Sequence, residues 1–166
     1  MNVAPPPRRP LAPQREIVGR IKHEAHSQRR DRTMTPPRIL IADDDRGTRE
    51  IYALYLSMVG YKVEEAADGR EALIKARTLG PDLIVMDLQM PEVDGWAAIR
   101  ELRGDIKTHE IPILVLTGHD FKDFLKPAAL AVGARSFLKK PCLPERLARE
   151  IGERIAAPDR KVARSF

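Results

Sequence analysis

Aspartates follow two short apolar segments of this chain. Asp43 and Asp44 come directly after the run 39–42, and Asp87 comes directly after the run 83–86. Short runs of branched apolar residues are typical of buried strands in a parallel sheet. The carboxyl ends of such strands meet at the edge where open α/β sheets hold their ligands. We therefore expect the three carboxylates to share one pocket.

Three carboxylates in one pocket repel one another, and burying them without a partner is costly. Mg²⁺ resolves this conflict because it prefers oxygen ligands and usually binds one or two carboxylates, water and phosphate oxygens. The pattern predicts a Mg²⁺ site that a phosphoryl donor completes. An alternative is that the acidic residues only cap the helix that follows the first strand, which Asp44 or Asp45 could do. Capping does not explain Asp87.

Two further strand ends carry polar side chains. Lys140 follows the fifth apolar segment, and its ammonium could pair with Asp87 or with a phosphate on it. Lys139 is expected to point to the opposite face, because adjacent strand residues alternate. Thr117 ends the fourth segment, and its hydroxyl could bond a phosphate oxygen. The plainer alternatives are a solvated lysine and a β-branched residue that closes the core.

Strand and helix patterns alternate along the chain. The predicted strands cover 38–43, 61–66, 82–87, 112–116 and 135–139. The predicted helices cover about 46–59, 69–79, 94–104, part of 120–132, and 144–156. The first helix is marked by apolar residues at helical spacing: Ile51, Leu54, Tyr55 and Met58. This alternation predicts a five-stranded parallel sheet with helices on both faces.

The composition excludes several classes of protein. With 166 residues and 43% hydrophobic residues, the chain suits one domain with a sizeable core. Its apolar runs are shorter than the roughly 18 residues of a membrane span, and residues 1–13 lack the apolar region of a secretory signal. The single cysteine, Cys142, excludes an internal disulfide. These features favour a cytoplasmic protein.

The net charge of +5 belongs to residues 1–37. This segment holds eight basic and three acidic residues and half of the prolines, so we expect a mostly disordered basic tail. Either Met34 is the true start, or the preceding residues form a docking arm or an anchor. Binding of nucleic acid or membrane through the tail is weakly supported, because its arginines are sparse and lack interleaved aromatics. The predicted domain covers 38–156, and 157–166 forms a short flexible tail.

These motifs together resemble the receiver domain of two-component response regulators. The matching pieces are the strand ending in Asp43-Asp44, the segment 85–91 followed by Asp94-Gly95, the segment 116–118 and the segment 139–141. The resemblance covers residues 38–156. It implies a flavodoxin-like α/β fold with sheet order 2-1-3-4-5.

The resemblance also implies a role for each acidic residue. Asp87 would accept a phosphoryl group from a sensor histidine kinase or a histidine phosphotransfer protein, in a reaction that needs Mg²⁺. Asp44 would bind Mg²⁺ directly and Asp43 would bind it through water. The backbone carbonyl of Gln89 would complete the protein ligands, and Gln89 and His119 would influence the lifetime of the phosphate.

Lys140 would contact the phosphoryl group, and the Lys140-Pro141 bond would be cis. Thr117 would move toward the phosphate and Phe137 would turn inward to follow it. The downstream protein would bind the face formed by helix 4, strand 5 and helix 5. Pro127 is expected near the first position of helix 4, with Leu125 in the preceding loop, because proline is poorly tolerated inside a helix.

We therefore expect a stand-alone phosphorylation switch or a phosphorelay intermediate. About ten residues follow the last helix, which leaves no room for a DNA-binding domain. Such a protein assists its own phosphorylation and dephosphorylation but is not a turnover enzyme. An aspartyl-phosphate phosphatase is the alternative enzyme, but that class uses a second acid two residues after the nucleophile, where this chain has Gln89.

Overall fold

The computed structural model describes residues 35–118 and 125–156. The strands are β1 Arg38–Ala42, β2 Lys62–Ala66, β3 Leu83–Met86, β4 Ile113–Thr117 and β5 Ser136–Lys139. The helices are α1 Arg46–Met58, α2 Gly69–Leu79, α3 Gly95–Gly104, α4 Leu125–Ala131 and α5 Pro144–Ala156. All strand pairs are parallel, in the order β2-β1-β3-β4-β5. The predicted fold class is confirmed, and strand ends differ from prediction by about one residue.

The sheet separates two hydrophobic clusters. Strand residues alternate between its faces, so in β1 Leu40 and Ala42 enter the cluster that contains residues of α2, α3 and α4. Ile39 and Ile41 enter the other cluster, which contains residues of α1 and α5. Because the central strands β1, β3 and β4 are buried on both faces, they are apolar throughout, apart from the ends that carry the polar groups.

The apolar residues that marked α1 do not form its inward face. The helix itself is confirmed, but Ile51, Leu54 and Met58 are 59%, 65% and 75% exposed. Tyr52 and Leu56, four residues apart, are buried against the sheet instead. Two apolar stripes of the same period lie side by side on this helix. Periodicity predicts a helix but cannot choose between such stripes, and the position of the sheet decides.

Helix α4 is described from Leu125, which is helical rather than part of a loop as expected, and Pro127 also lies within the helix. Residues 119–124 lie outside the described residues, and with them His119 and the earlier part of the predicted helix region.

Most of the two predicted tails, residues 1–34 and 157–166, also lies outside the described residues. The described chain joins the sheet slightly before β1, since the carbonyl of Pro37 accepts a hydrogen bond from the Lys62 amide at 2.9 Å. Within 35–118 and 125–156, no helix combines the length and the apolar character needed to cross a membrane.

Candidate functional site

Three carboxylates meet at the carboxyl edge of the sheet. Asp43 and Asp87 are buried and Asp44 is exposed, and one carboxylate oxygen from each lies within 4.8 Å of the others. The amide of Asp43 bonds the Ala66 carbonyl at 3.1 Å, and the amide of Asp87 bonds the Ala42 carbonyl at 2.8 Å. These bonds extend the parallel ladders one residue past the strands. The sheet itself therefore holds both buried acids.

Lys140 lies between the two buried acids. Its Nζ donates to Oδ2 of Asp43 at 2.5 Å and to Oδ2 of Asp87 at 2.6 Å. Its amide bonds the Thr117 carbonyl at 2.8 Å, and its aliphatic stem lies beside Gly118. The predicted cis bond between Lys140 and Pro141 is confirmed. Lys139, by contrast, is exposed at the end of β5.

The charges of this cluster oppose its burial. Burial raises the pKa of Asp43, and the hydrogen bond and charge of Lys140 only partly offset that effect. Burial acts to lower the pKa of Lys140, but its hydrogen bonds to Asp43 and Asp87 and the charges of these acids together outweigh burial and raise that pKa above its ordinary value. The lysine therefore stays charged and serves as the countercharge of two acids that water barely reaches.

The residue that caps α1 is Asp45, which leaves the other acids for the pocket. Its side chain accepts the amide of Thr48 at 2.7 Å, and this contact lowers the pKa of Asp45. Its own amide bonds Oδ1 of Asp43 at 3.0 Å. The capping alternative raised by the sequence thus applies to Asp45 and does not remove Asp43 and Asp44 from the acidic cluster.

The segment after β3 is closely held around Gln89. The amide of Gln89 bonds Oδ1 of Asp87 at 3.1 Å, and the amide of Gly95 bonds the Leu88 carbonyl at 3.0 Å. A Cβ on Gly95 would lie only 2.0 Å from the carbonyl oxygen of Asp87. Glycine is needed here because the start of α3 packs directly on the backbone of the aspartate.

Cavities open on both sides of the acidic cluster. One of about 550 Å³ is lined by Asp44, Gln89 and Trp96, among others. Another of about 450 Å³ is lined by residues of α1 and by Lys140 and Cys142. Cys142 is a buried residue, and burial raises the pKa of its thiol.

Thr117 carries a polar atom without a partner. The residue is 1% exposed, and its Oγ1 makes no hydrogen bond within the described part of the chain. Val115 pairs in register with Phe137, and Thr117 is two residues further along the same strand. Thr117 and Phe137 therefore lie on the same sheet face, where Phe137 is half-buried against the core cluster.

Two residues near the site were not anticipated from the sequence. Arg49 donates from Nη1 to the carbonyls of Asp43 and Asp44. Tyr52 donates its hydroxyl to the Cys142 carbonyl at 2.8 Å, and so ties α1 to the segment that carries Lys140. An arginine and a tyrosine three residues apart on one helix face were visible in the sequence. Their partners were not, because these contacts depend on how the loops fold.

The family comparison agrees with this geometry. The family model described as the response regulator receiver domain matches residues 39–152. The chain belongs to this family. This chain is 47% identical over 117 residues to the response regulator MprA of Mycolicibacterium vanbaalenii. That alignment covers 69% of this chain and 48% of the relative. It is also 38% identical over 125 residues to the DNA-binding dual master transcriptional regulator RpaA of Synechocystis. That alignment covers 75% of this chain and 51% of the relative.

Two solved structures match this chain over almost their whole length. The chemotaxis response regulator CheY4 of Vibrio cholerae superposes with a TM-score of 0.68 and 36% identity, covering 72% of this chain and 99% of that one. The receiver domain of the sensor histidine kinase PA1611 from Pseudomonas aeruginosa holds a magnesium ion in its active site cleft. It superposes with a TM-score of 0.68 and 28% identity, and the match covers 74% of this chain and 100% of that one. The chain spans about half the length of the curated relatives it matches.

The donor set of this receiver domain fits a divalent cation. All three clustered side chains are carboxylates, and hard oxygen donors of this kind suit Mg²⁺. Asp44 is exposed and lines an open cavity, so an ion could reach the cluster from solvent.

Proposed function

We propose that Asp87 accepts a phosphoryl group from the phosphohistidine of a sensor histidine kinase or a histidine phosphotransfer protein. The observation that carries this proposal is the bridge of Lys140 between Asp43 and Asp87 at the mouth of an acidic cluster. It gives Asp87 a fixed orientation and a fixed positive charge beside it. Phosphoryl transfer is accelerated mainly by positioning and by neutralisation of charge, which these residues supply.

In the reaction, a carboxylate oxygen of Asp87 attacks phosphorus. The new O–P bond forms as the N–P bond of the phosphohistidine breaks, and the electron pair returns to the imidazole ring. Asp43, Asp44 and Asp87, with the backbone carbonyl of Gln89, would hold Mg²⁺, and Asp43 would do so through water. When bound, Mg²⁺ would neutralise phosphoryl charge and orient the phosphoryl oxygens. Lys140 would exchange one carboxylate partner for a phosphoryl oxygen.

Thr117 and Phe137 are proposed to report the phosphorylated state. Among the described residues, the buried Thr117 hydroxyl has no hydrogen-bond partner, so a phosphoryl oxygen on Asp87 would provide an acceptor. Movement of Thr117 would then change the packing of Phe137 on the same face of the sheet. A small electrostatic change at the site is in this way converted into a change of surface shape.

Output is proposed to pass through protein binding at the face formed by α4, β5 and α5. The receiver would hold one phosphoryl group per chain, as a switch or a relay intermediate, and would not turn over a substrate. Support for a stand-alone role comes from the match to CheY4, of which 99% is covered. An immunoblot for the native protein tests this role. A band with about twice the mass of this chain would contradict it.

Labelling with acetyl phosphate and Mg²⁺ tests the phosphoacceptor. Asp87→Asn should remove the label, and the labelled wild type should carry no more than one phosphoryl group per chain. Asp68→Asn is the matched control, because Asp68 caps α2 through the Glu71 amide at 2.7 Å and asparagine caps equally well. Undiminished labelling of Asp87→Asn would refute the assignment.

A further inference from the structure

Arg49 is the fourth residue of α1, and its side chain turns back to the segment that carries the acids. Nη1 lies 2.6 Å from the carbonyl oxygen of Asp43 and 3.1 Å from that of Asp44. Nε lies 3.5 Å from a carboxylate oxygen of Glu65 on β2. The side chain is only 13% exposed. One guanidinium therefore joins α1, β2 and the two consecutive acids.

The two carbonyls that accept hydrogen bonds from Arg49 lie outside the backbone hydrogen-bond ladder of α1. The backbone ladder of α1 begins with the Arg49 amide, which bonds the Asp45 carbonyl at 3.0 Å. The carbonyls of Asp43 and Asp44 precede that point, where backbone groups need partners from outside the helix. One nitrogen of Arg49 donates a hydrogen bond to each of these two carbonyls.

The guanidinium acts on the backbone rather than on the carboxylates. Its contacts near the site are the two carbonyl oxygens, and the Glu65 carboxylate lies close enough to balance its charge. Lys140 is the cation that touches the carboxylate of Asp43. The geometry of Arg49 thus fixes where the side chains of Asp43 and Asp44 start, while Lys140 supplies the charge that the carboxylate of Asp43 faces.

We infer that Arg49 is a positioning residue that sets the divalent-ion affinity of the receiver by fixing the backbone of Asp43 and Asp44. This inference rests on the proposed function for the role of the ion. Residues that orient metal ligands typically change affinity by about 10- to 100-fold when replaced. We expect the lower end for Arg49→Gln, about tenfold weaker Mg²⁺ binding, because the Ala66 carbonyl of β2 still holds the amide of Asp43.

Mg²⁺ titration followed by the emission of Trp96 tests the inference. Trp96 is the single tryptophan of the chain and lines the same cavity as Asp44. Arg46→Gln is the matched control, since it removes the same charge from the same helix. In the described part of the chain, the side chain of Arg46 pairs with the exposed Glu50. We expect its affinity to stay within about twofold of wild type. Calorimetry of Mg²⁺ binding provides an independent readout.

Arg49→Lys separates position from charge. Lysine keeps the charge but cannot reproduce the planar, multiply donating guanidinium, so its Mg²⁺ affinity should fall between those of wild type and Arg49→Gln. This variant also decides the matter if Arg49→Gln fails to fold. Thermal unfolding without Mg²⁺ shows whether each variant is folded.

The outcomes distinguish the inference from the proposed function. Unchanged Mg²⁺ affinity in the folded Arg49 variants, or an equal loss in Arg46→Gln, would overturn the positioning role. If the wild type binds Mg²⁺ but is not labelled on Asp87, the phosphoacceptor assignment fails while the role of Arg49 stands. Absence of Mg²⁺ binding by the wild type would overturn both.

Discussion

Replacement of Lys140 by methionine tests whether the acidic cluster depends on a cation. Methionine keeps much of the aliphatic stem beside Gly118 but removes the ammonium that bridges Asp43 and Asp87. The side chains of the two acids are 3% and 7% exposed, so water cannot replace the lost charge effectively. Without Mg²⁺, we expect the variant to unfold more easily than the wild type.

The size of this loss follows from the burial of the pair. Removing one partner of a buried ion pair costs about 3–5 kcal/mol, because the remaining charge is left without compensation. The side chain of Lys140 is 17% exposed at the edge of the pocket, which places the expected loss near the lower limit, about 3 kcal/mol. Urea unfolding followed by circular dichroism measures it, with Lys126→Met on the exposed surface of α4 as the control.

Mg²⁺ should restore much of what the variant loses. An ion bound only to the folded state at about a hundred times its dissociation constant contributes about 2.7 kcal/mol. The wild type should gain less at the same concentration, since Lys140 competes for the same two acids. Equal stability of variant and wild type without Mg²⁺, or an equal gain with it, would refute the reasoning.

The loss should also depend on pH in a definite direction. Lys140 is among the groups that lower the pKa of Asp43, so its removal raises that pKa further above the unfolded value. The folded variant then binds more protons than the unfolded chain in the interval between these two values. Its stability therefore falls as pH rises through that interval, and the deficit shrinks again in acid. Repeating the urea series from acid to neutral pH measures this trend.

Two further substitutions test individual contacts. Thr117→Val removes the buried hydroxyl without changing the shape of the side chain, so stability should stay equal or rise by up to about 1 kcal/mol, while phosphorylation should no longer perturb Phe137. A stability loss above about 1 kcal/mol would indicate that the hydroxyl has a partner. Gly95→Ala should destabilise the fold by roughly 2 kcal/mol or more, because its Cβ meets backbone at 2.0 Å, whereas Gly104→Ala has open space and should be neutral or stabilising. Thermal unfolding of the two glycine variants measures these effects. Similar melting points for Gly95→Ala and Gly104→Ala would contradict the packing argument.

The sheet and the meeting of the acids could be predicted from the sequence, because both follow from periodicity. Runs such as 83–86 identify buried strands, and parallel strands deliver their last residues to one edge. The residue that caps α1 could not be chosen among the consecutive acids from the same information. Asp45 takes that position because of the register in which the helix starts, and the register depends on how α1 packs.

The contacts of α1 show a second limit of sequence reasoning. Its apolar stripe through Ile51 and Leu54 has the correct period for a helix, yet the helix packs through Tyr52 and Leu56. The same rotation that buries Tyr52 brings its hydroxyl to the Cys142 carbonyl. A prediction based on the outer stripe alone would have placed neither contact, since both follow from the orientation of the helix against the sheet.

The site keeps polar groups whose needs the described residues do not fully meet. Asp43 remains costly to ionise despite its bond to Lys140, and Thr117 has a buried hydroxyl without an acceptor. A fold selected only for stability would replace both with apolar residues, because unmet buried polar groups are destabilising. A divalent ion would satisfy the acids and a phosphoryl oxygen would satisfy the hydroxyl. Each unmet need therefore favours one of the two ligands that the proposed reaction brings together.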